Sequence, residues 1–248
     1  GGPQLYEIAL DGRALRTPAR QPMHFESFNL AQAVALEWDS QGVNVDVPGM
    51  EKGISPASMP LMSLVSTWLD QTVPSRDIVE KNVSKFLSTD TVCFLADPDM
   101  RILRRRQNQH FGPLLEWFKE EWGVELTTTD GLMSIKHAEE SVARVNAMVE
   151  ALDEAALTAV QCATMESKSI VLALALVLQR ITPEQAMEMA RLEEEFQMEQ
   201  WGLVEGGHDL DRAATKVSLT SPAVFLALLD DEEGHAGRWG RLKEAVEK

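Results

Sequence analysis

Cysteine is nearly absent: Cys93 and Cys162 are the only two in 248 residues, and no CxxC spacing joins them. That argues against a disulfide framework or a cysteine-built structural metal site. The five histidines are scattered, with no HxxxH or HExxH. Long apolar runs are missing too. The longest, Ile170 to Leu178, is too short to span a bilayer, so no membrane insertion is expected. Positive charge is scarce: 23 Lys and Arg face 39 Asp and Glu, a net charge of −16. Phosphate contacts need clustered cations, so a nucleic-acid or anionic-membrane binder is disfavoured, while a basic protein partner fits. No signal or transit peptide is visible. The opening Gly1-Gly2-Pro3 reads as a trimmed start, so that absence decides nothing.

Catalytic signatures are also lacking. There is no GxGxxG, GxxxxGK[ST] or GxSxG, and no metal-ligand spacing. His208-Asp209 offers a base beside a carboxylate, but chain neighbours rarely face each other. Glu193 and Glu205 could act as paired carboxylates with His208, which would make the chain a small-molecule hydrolase or lyase. Nothing along the sequence brings them together. No catalytic, cofactor or metal set is assigned.

What is present reads as α+β: a small mixed α/β N-terminal domain, residues 1–98, followed by a larger all-helical domain, residues 99–248. Tyr6, Ile8 and Leu10 alternate with polar or small neighbours, Asp11-Gly12 is a hairpin turn, and Ala14 to Thr17 is the return strand before Pro18. A further short strand falls near Met23 to Phe25. A helix through Leu30, Val34 and Trp38 ends near Gln41-Gly42, a Pro- and Gly-rich loop follows, and Pro60 to Thr72 reads as the next helix. Residues 76 to 87 suit helix or strand. Thr89 to Leu95, β-branched and aromatic, reads as a strand. Residues 100 to 122 form one long helix or two joined at Pro113. Their Arg101, Arg104, Arg105 and Arg106 read as a solvated or salt-bridged face. A short strand at Val124 to Thr128 and helices over 138–150 and 154–164 come next. Ile170 to Leu178 is apolar all round and is expected as the central buried helix. Glu166 and Lys168 stand at its start. Residues 213 to 229 suit a helix interrupted at Pro222, and the tail after Asp230 reads as peripheral or frayed. Trp38 and Trp201 are both read as core tryptophans.

The stretch from Glu184 to Asp211 carries the most information. Thr182 and Pro183 start a helix, and no breaker appears before Gly202. On a 100° wheel Ala186, Met189, Ala190, Leu192, Phe196 and Trp201 share one arc, with Glu193 near its centre. A carboxylate there either finds a partner, such as Lys168 or Arg191, or is held at a functional surface.

Five segments in order resemble the Atp12-type assembly chaperones of the F1 ATP synthase. They are Leu10 to Pro18 (LDGRALRTP), Ala35 to Gln41 (ALEWDSQ), Met59-Pro60-Leu61 with Ser88 to Thr91, Glu166 to Leu176 (ESKSIVLALAL), and Arg191 to Gln197 followed by Trp201 to Glu205 and His208-Asp209. The chain departs at Gly206-Gly207, where the family carries a bulky residue. The resemblance implies a two-domain chaperone without activity or cofactor. It implies binding of the unassembled F1 α subunit until β subunits arrive, and the chain itself is expected to be a monomer. It also implies a place in the mitochondrial matrix, with the bacterial cytoplasm as the alternative. On this reading the contact residues are Glu193, Glu194, Gln197, Trp201, Glu205, His208, Asp209, Glu166 and Trp38.

Overall fold

The computed structural model describes residues 4–41, 54–202, 207–230 and 232–247. Strands β1 (Ala9–Leu10) and β2 (Arg13–Ala14) pair antiparallel, Ala9 opposite Ala14. The expected Asp11-Gly12 turn closes them, with φ +50° and +77°, the double left-handed geometry that suits a two-residue hairpin. Tyr6 pairs with Phe25 and Arg16 with Pro22, which extends the ribbon. Thr17 and the Ala19 N–H donate to the Asp70 carboxylate at 2.6 and 3.0 Å, fastening the ribbon to the helices.

Eleven α-helices are described. They are α1 (Phe28–Asp39), α2 (Pro60–Thr67), α3 (Arg76–Lys85), α4 (Arg101–Trp122), α5 (Glu139–Ala151) and α6 (Glu154–Ser167). Then come α7 (Ile170–Val177), α8 (Pro183–Ala190), α9 (Leu192–Trp201), α10 (His208–Leu229) and α11 (Glu232–Val246). A π-helical turn, Trp68–Thr72, continues α2. The α+β reading holds at this level. One apolar core runs through helices on both sides of residue 98: α2 packs on α6 and α10, and α3 on α5 and α6. None of the described helices is long and apolar enough to cross a membrane.

Helix α7 sits at the centre as expected, with every residue from Ile170 to Val177 buried. Each large aliphatic there contributes roughly 1.5–3 kcal/mol through burial. A helix this deep must have its free N–H groups answered from within the protein. Ser169 Oγ accepts from the Leu172 N–H at 3.0 Å, and the fully buried Asp90 carboxylate accepts from Val171 and Val92 at 3.1 Å. Lys168 adopts φ +56° at the corner between α6 and α7, and its carbonyl receives the Thr91 N–H.

Five expectations fail. Thr89 to Leu95 is not a strand. Asp90 caps a 3-10 turn over Thr91–Cys93 to serve α7, and only Phe94 pairs, in parallel with Thr129. That single bridge also replaces the strand expected at 124–128. Pro222 lies inside a continuous helix and does not interrupt it; Pro113 does too, so residues 101–122 take the one-helix alternative. The carbonyl freed by Pro113 belongs to the exposed Gln109, where water can answer it. The tail is docked, not frayed: buried Arg238 pairs with Asp230 and Asp153, Leu242 is fully buried, and Trp239 tilts on Trp122 at 5.2 Å. Trp201 is 80% exposed, not a core residue, whereas Trp38 is half-buried against the core.

Candidate functional site

The helix expected over 184–201 is two helices. Arg191, at φ −104° and ψ 9°, ends α8 and begins α9. No glycine or proline marks the break. The buried Arg191 guanidinium turns to Glu194 at 2.8 Å and Glu195 at 3.3 Å. The break rotates everything after it. Glu193 therefore leaves the apolar arc and is exposed. Its partner is neither Lys168 nor Arg191. Gln107 of α4, fully buried, donates to Glu193 Oε1 at 2.6 Å, while its own Oε1 accepts from the Ala96 N–H at 2.6 Å. The amide is thus fixed at both ends, and it holds one oxygen of Glu193 while the rest of the carboxylate faces outwards.

Gln197 and Trp201 follow Glu193 at i+4 and i+8, which places all three on one outward side of α9. On the opposite side of α9 lies an ion-pair network. Arg212 of α10 grips Glu195 through both oxygens, and Arg106 of α4 pairs with Glu199 at 2.7 Å while lying over the Phe196 ring. Hydrogen bonding from Arg212 holds the Glu195 carboxyl below its ordinary range, and Arg106 does the same for Glu199. This network joins three helices, so it sets the angle at which the outward side of α9 is presented.

Glu194 and His208 approach across the α9–α10 junction, with Nδ1 3.7 Å from Oε1, beyond hydrogen-bond reach. Asp209 is exposed and 3.7 Å from Arg212. Glu194, His208 and Asp211 bring one donor atom each within 4.8 Å. These are metal-binding residue types, but Arg191 already sits on Glu194 as its counter-ion, so no ion is assigned. Glu205 lies outside the described residues. Glu193 points to α4 and His208 to Glu194, so these two members of the hydrolase set are not brought together.

The other two expected contact residues lie elsewhere. Glu166, at the end of α6, lines an open groove between α2, α6 and α10. Trp38 packs at the corner of α1 and α2. There its neighbour Glu37 accepts the Leu61 and Met62 N–H groups, both at 2.8 Å, and so caps α2. Burial pushes the Glu37 pKa up, and those two bonds pull it partly back. Gln41 reaches Ser55 and Ser58 across the same corner. The EWDSQ wording is therefore a joint between two helices. The groove itself was not legible in the sequence, because its walls come from residues over 150 positions apart. The one signal was the alternation of small and apolar residues along α10.

A family model described as ATP12 chaperone protein matches residues 2–119. The chain is 27% identical to the mitochondrial protein atp12 of Schizosaccharomyces pombe, over 90% of this chain and 78% of that protein. It is 22% identical to mitochondrial ATP12 of Saccharomyces cerevisiae, over 88% and 77%. Among solved structures, Atp12 from Paracoccus denitrificans superposes with a TM-score of 0.78 at 28% identity, covering 90% of this chain and 91% of that one. A candidate chaperone from Agrobacterium tumefaciens superposes at 0.75 and 30% identity, covering 89% and 78%. The family model spans the hairpin, the α1–α2 joint and Asp90. The α9–α10 region is reached by the similarities that cover about nine-tenths of this chain.

Proposed function

Because the chain belongs to the ATP12 chaperone family, we propose that it is an assembly chaperone of the F1 ATP synthase that holds the unassembled α subunit until β subunits take its place. It is a chaperone and not an enzyme. An unassembled subunit exposes apolar interface, which aggregates unless covered by something that can leave again. The observation that carries the reading is the outward side of α9. There an 80% exposed tryptophan shares a face with a carboxylate that is already oriented from behind by Gln107. A large ring supplies contact area at low entropic cost, and an oriented carboxylate can pair with an Arg or backbone N–H of the client. Glu194, His208 and Asp209 border this face, Glu205 precedes α10 in the chain, and Glu166 and Trp38 contribute from further away. The protein acts as a monomer, in the mitochondrial matrix, or in the cytoplasm if its source is bacterial.

The test is a pull-down of the α subunit from mitochondrial extract, paired with an aggregation assay on purified α subunit. Wild-type protein recovers and protects the α subunit. Glu193→Lys, which removes the acceptor from Gln107 and reverses the charge, loses both. Glu193→Gln keeps a carbonyl for Gln107 and retains the midpoint of thermal unfolding. Normal recovery and protection by a folded Glu193→Lys variant would remove α9 from the contact.

A further inference from the structure

The open groove beside Glu166 encloses about 740 Å³ between the 3-10 turn Pro56–Ser58 and α2 on one side and α10 on the other, with α6 as its floor. Its lining is apolar or small, and Met165 and Val217 remain 54% and 46% exposed. Nothing in the fold requires that exposure, and contiguous exposed apolar surface of this kind marks an interaction site. On α10 the exposed positions Leu210, Ala214 and Val217 and the buried Ser221 recur at intervals of four, three and four. That is the seam one helix presents to another, here about 16 Å long at 1.5 Å per residue. Ala213, Ala214, Ser218 and Ser221 are small enough for a second backbone to approach closely. Among the described residues, Glu166 is the one charged residue lining the groove, and no described side chain or backbone group engages its carboxylate.

We propose that this groove seats an amphipathic helical segment of the client subunit, with its apolar stripe on Val217 and Met165 and a basic side chain on Glu166. The identity of the client rests on the F1-assembly reading above. The charge argument is local and global at once: a carboxylate without a partner among the described residues rims the groove of a chain whose net charge is −16. A basic end on the incoming helix fixes its direction, which an apolar groove alone cannot do. Helix α10 connects the two regions: His208 and Arg212 at its start contact Glu194 and Glu195 of α9, and Ala213 to Pro222 line the groove.

Purified α subunit is the probe, with affinity read by fluorescence anisotropy. Val217→Glu and Glu166→Lys change exposed or half-buried positions, so each variant is first checked for an unchanged unfolding midpoint; Val217→Ser replaces Val217→Glu if the latter unfolds. The expected result is at least a tenfold weaker complex for Val217→Glu and for Glu166→Lys, about 1.4 kcal/mol each. A photo-crosslinker at position 217 is expected to map to a single client helix that carries Lys or Arg. Reversing that basic residue should restore binding to Glu166→Lys. Wild-type affinity in both groove variants, with loss in Glu193→Lys, overturns the groove and leaves the chaperone reading standing. No binding by the wild-type protein overturns the reading itself, and the client seat with it. A change in sedimentation with client affinity intact would mean that the groove seats a second copy of this chain, which also overturns the proposal.

Discussion

Helices α7 and α9 stand a short loop and one helix apart, and they use carboxylates in opposite ways. Around α7 every residue is buried, and the one carboxylate present, Asp90, spends its oxygens on backbone N–H groups. Around α9 the carboxylates pair with side chains, remain at least partly in water and lie beside an exposed tryptophan. A buried acid whose lone pairs are used up locally holds a fold together. An acid fixed at one oxygen and open at the other is equipped to meet something else. The contrast assigns structure to the first helix and contact to the second. Each variant below strains one side of it.

The largest effect belongs to α7. Leu174→Ala leaves a cavity in the centre of the core and costs about 2–5 kcal/mol, which lowers the thermal midpoint by roughly 5–15 °C. The folded fraction should still bind client, and loss of affinity at a temperature where the variant is folded would break the contrast. Second is the pH response of Asp90. Burial raises its pKa from 3.8 to about 6. Between those values the native state binds the proton and the unfolded state does not, so this group's contribution to stability falls as pH rises from about 4 to about 6. The full change is of order 3 kcal/mol at 1.36 kcal/mol per pH unit. Urea unfolding at pH 4.5 and 7 measures it, and Asp90→Asn should flatten that slope. Third, Glu37→Ala removes two N–H acceptors at the start of α2 and should cost about 1–2 kcal/mol by urea titration, with client protection unchanged. The smallest effect on stability is at Trp201. Trp201→Ala should move the midpoint by no more than about 0.5 kcal/mol in free-energy terms while protection of the α subunit collapses. A stability loss comparable to that of Leu174→Ala would place Trp201 on the structural side.

Both regions were partly legible in the sequence, for different reasons. Apolar patterning depends only on side-chain type, so α7 could be read from its run of aliphatics. The hairpin could be read from Asp11-Gly12, because few residues tolerate its backbone angles. The break at Arg191 was not legible. No glycine or proline marks it, and a helical wheel assumes that no such break exists. That one residue moved Glu193 from a presumed apolar face to the surface and supplied a partner, Gln107, 86 positions away. Asp90 was misread for the same kind of reason: its β-branched neighbours suggested a strand, but the demand for acceptors comes from Val171 on another element. Helix α11 looked peripheral because the tail is acidic and then basic, yet Asp153 and Asp230 draw Arg238 inwards.

Of the six tryptophans, five are buried or half-buried and one, Trp201, stands in water. The chain therefore carries its own optical label at the place where the client is proposed to land. In the free protein a small soluble quencher such as iodide should reach one indole and spare the other five, leaving a bright, blue-shifted remainder. Bound client should shield the sixth, so that the red edge of the emission band fades in proportion to occupancy. Assembly could then be followed in real time without attaching a dye.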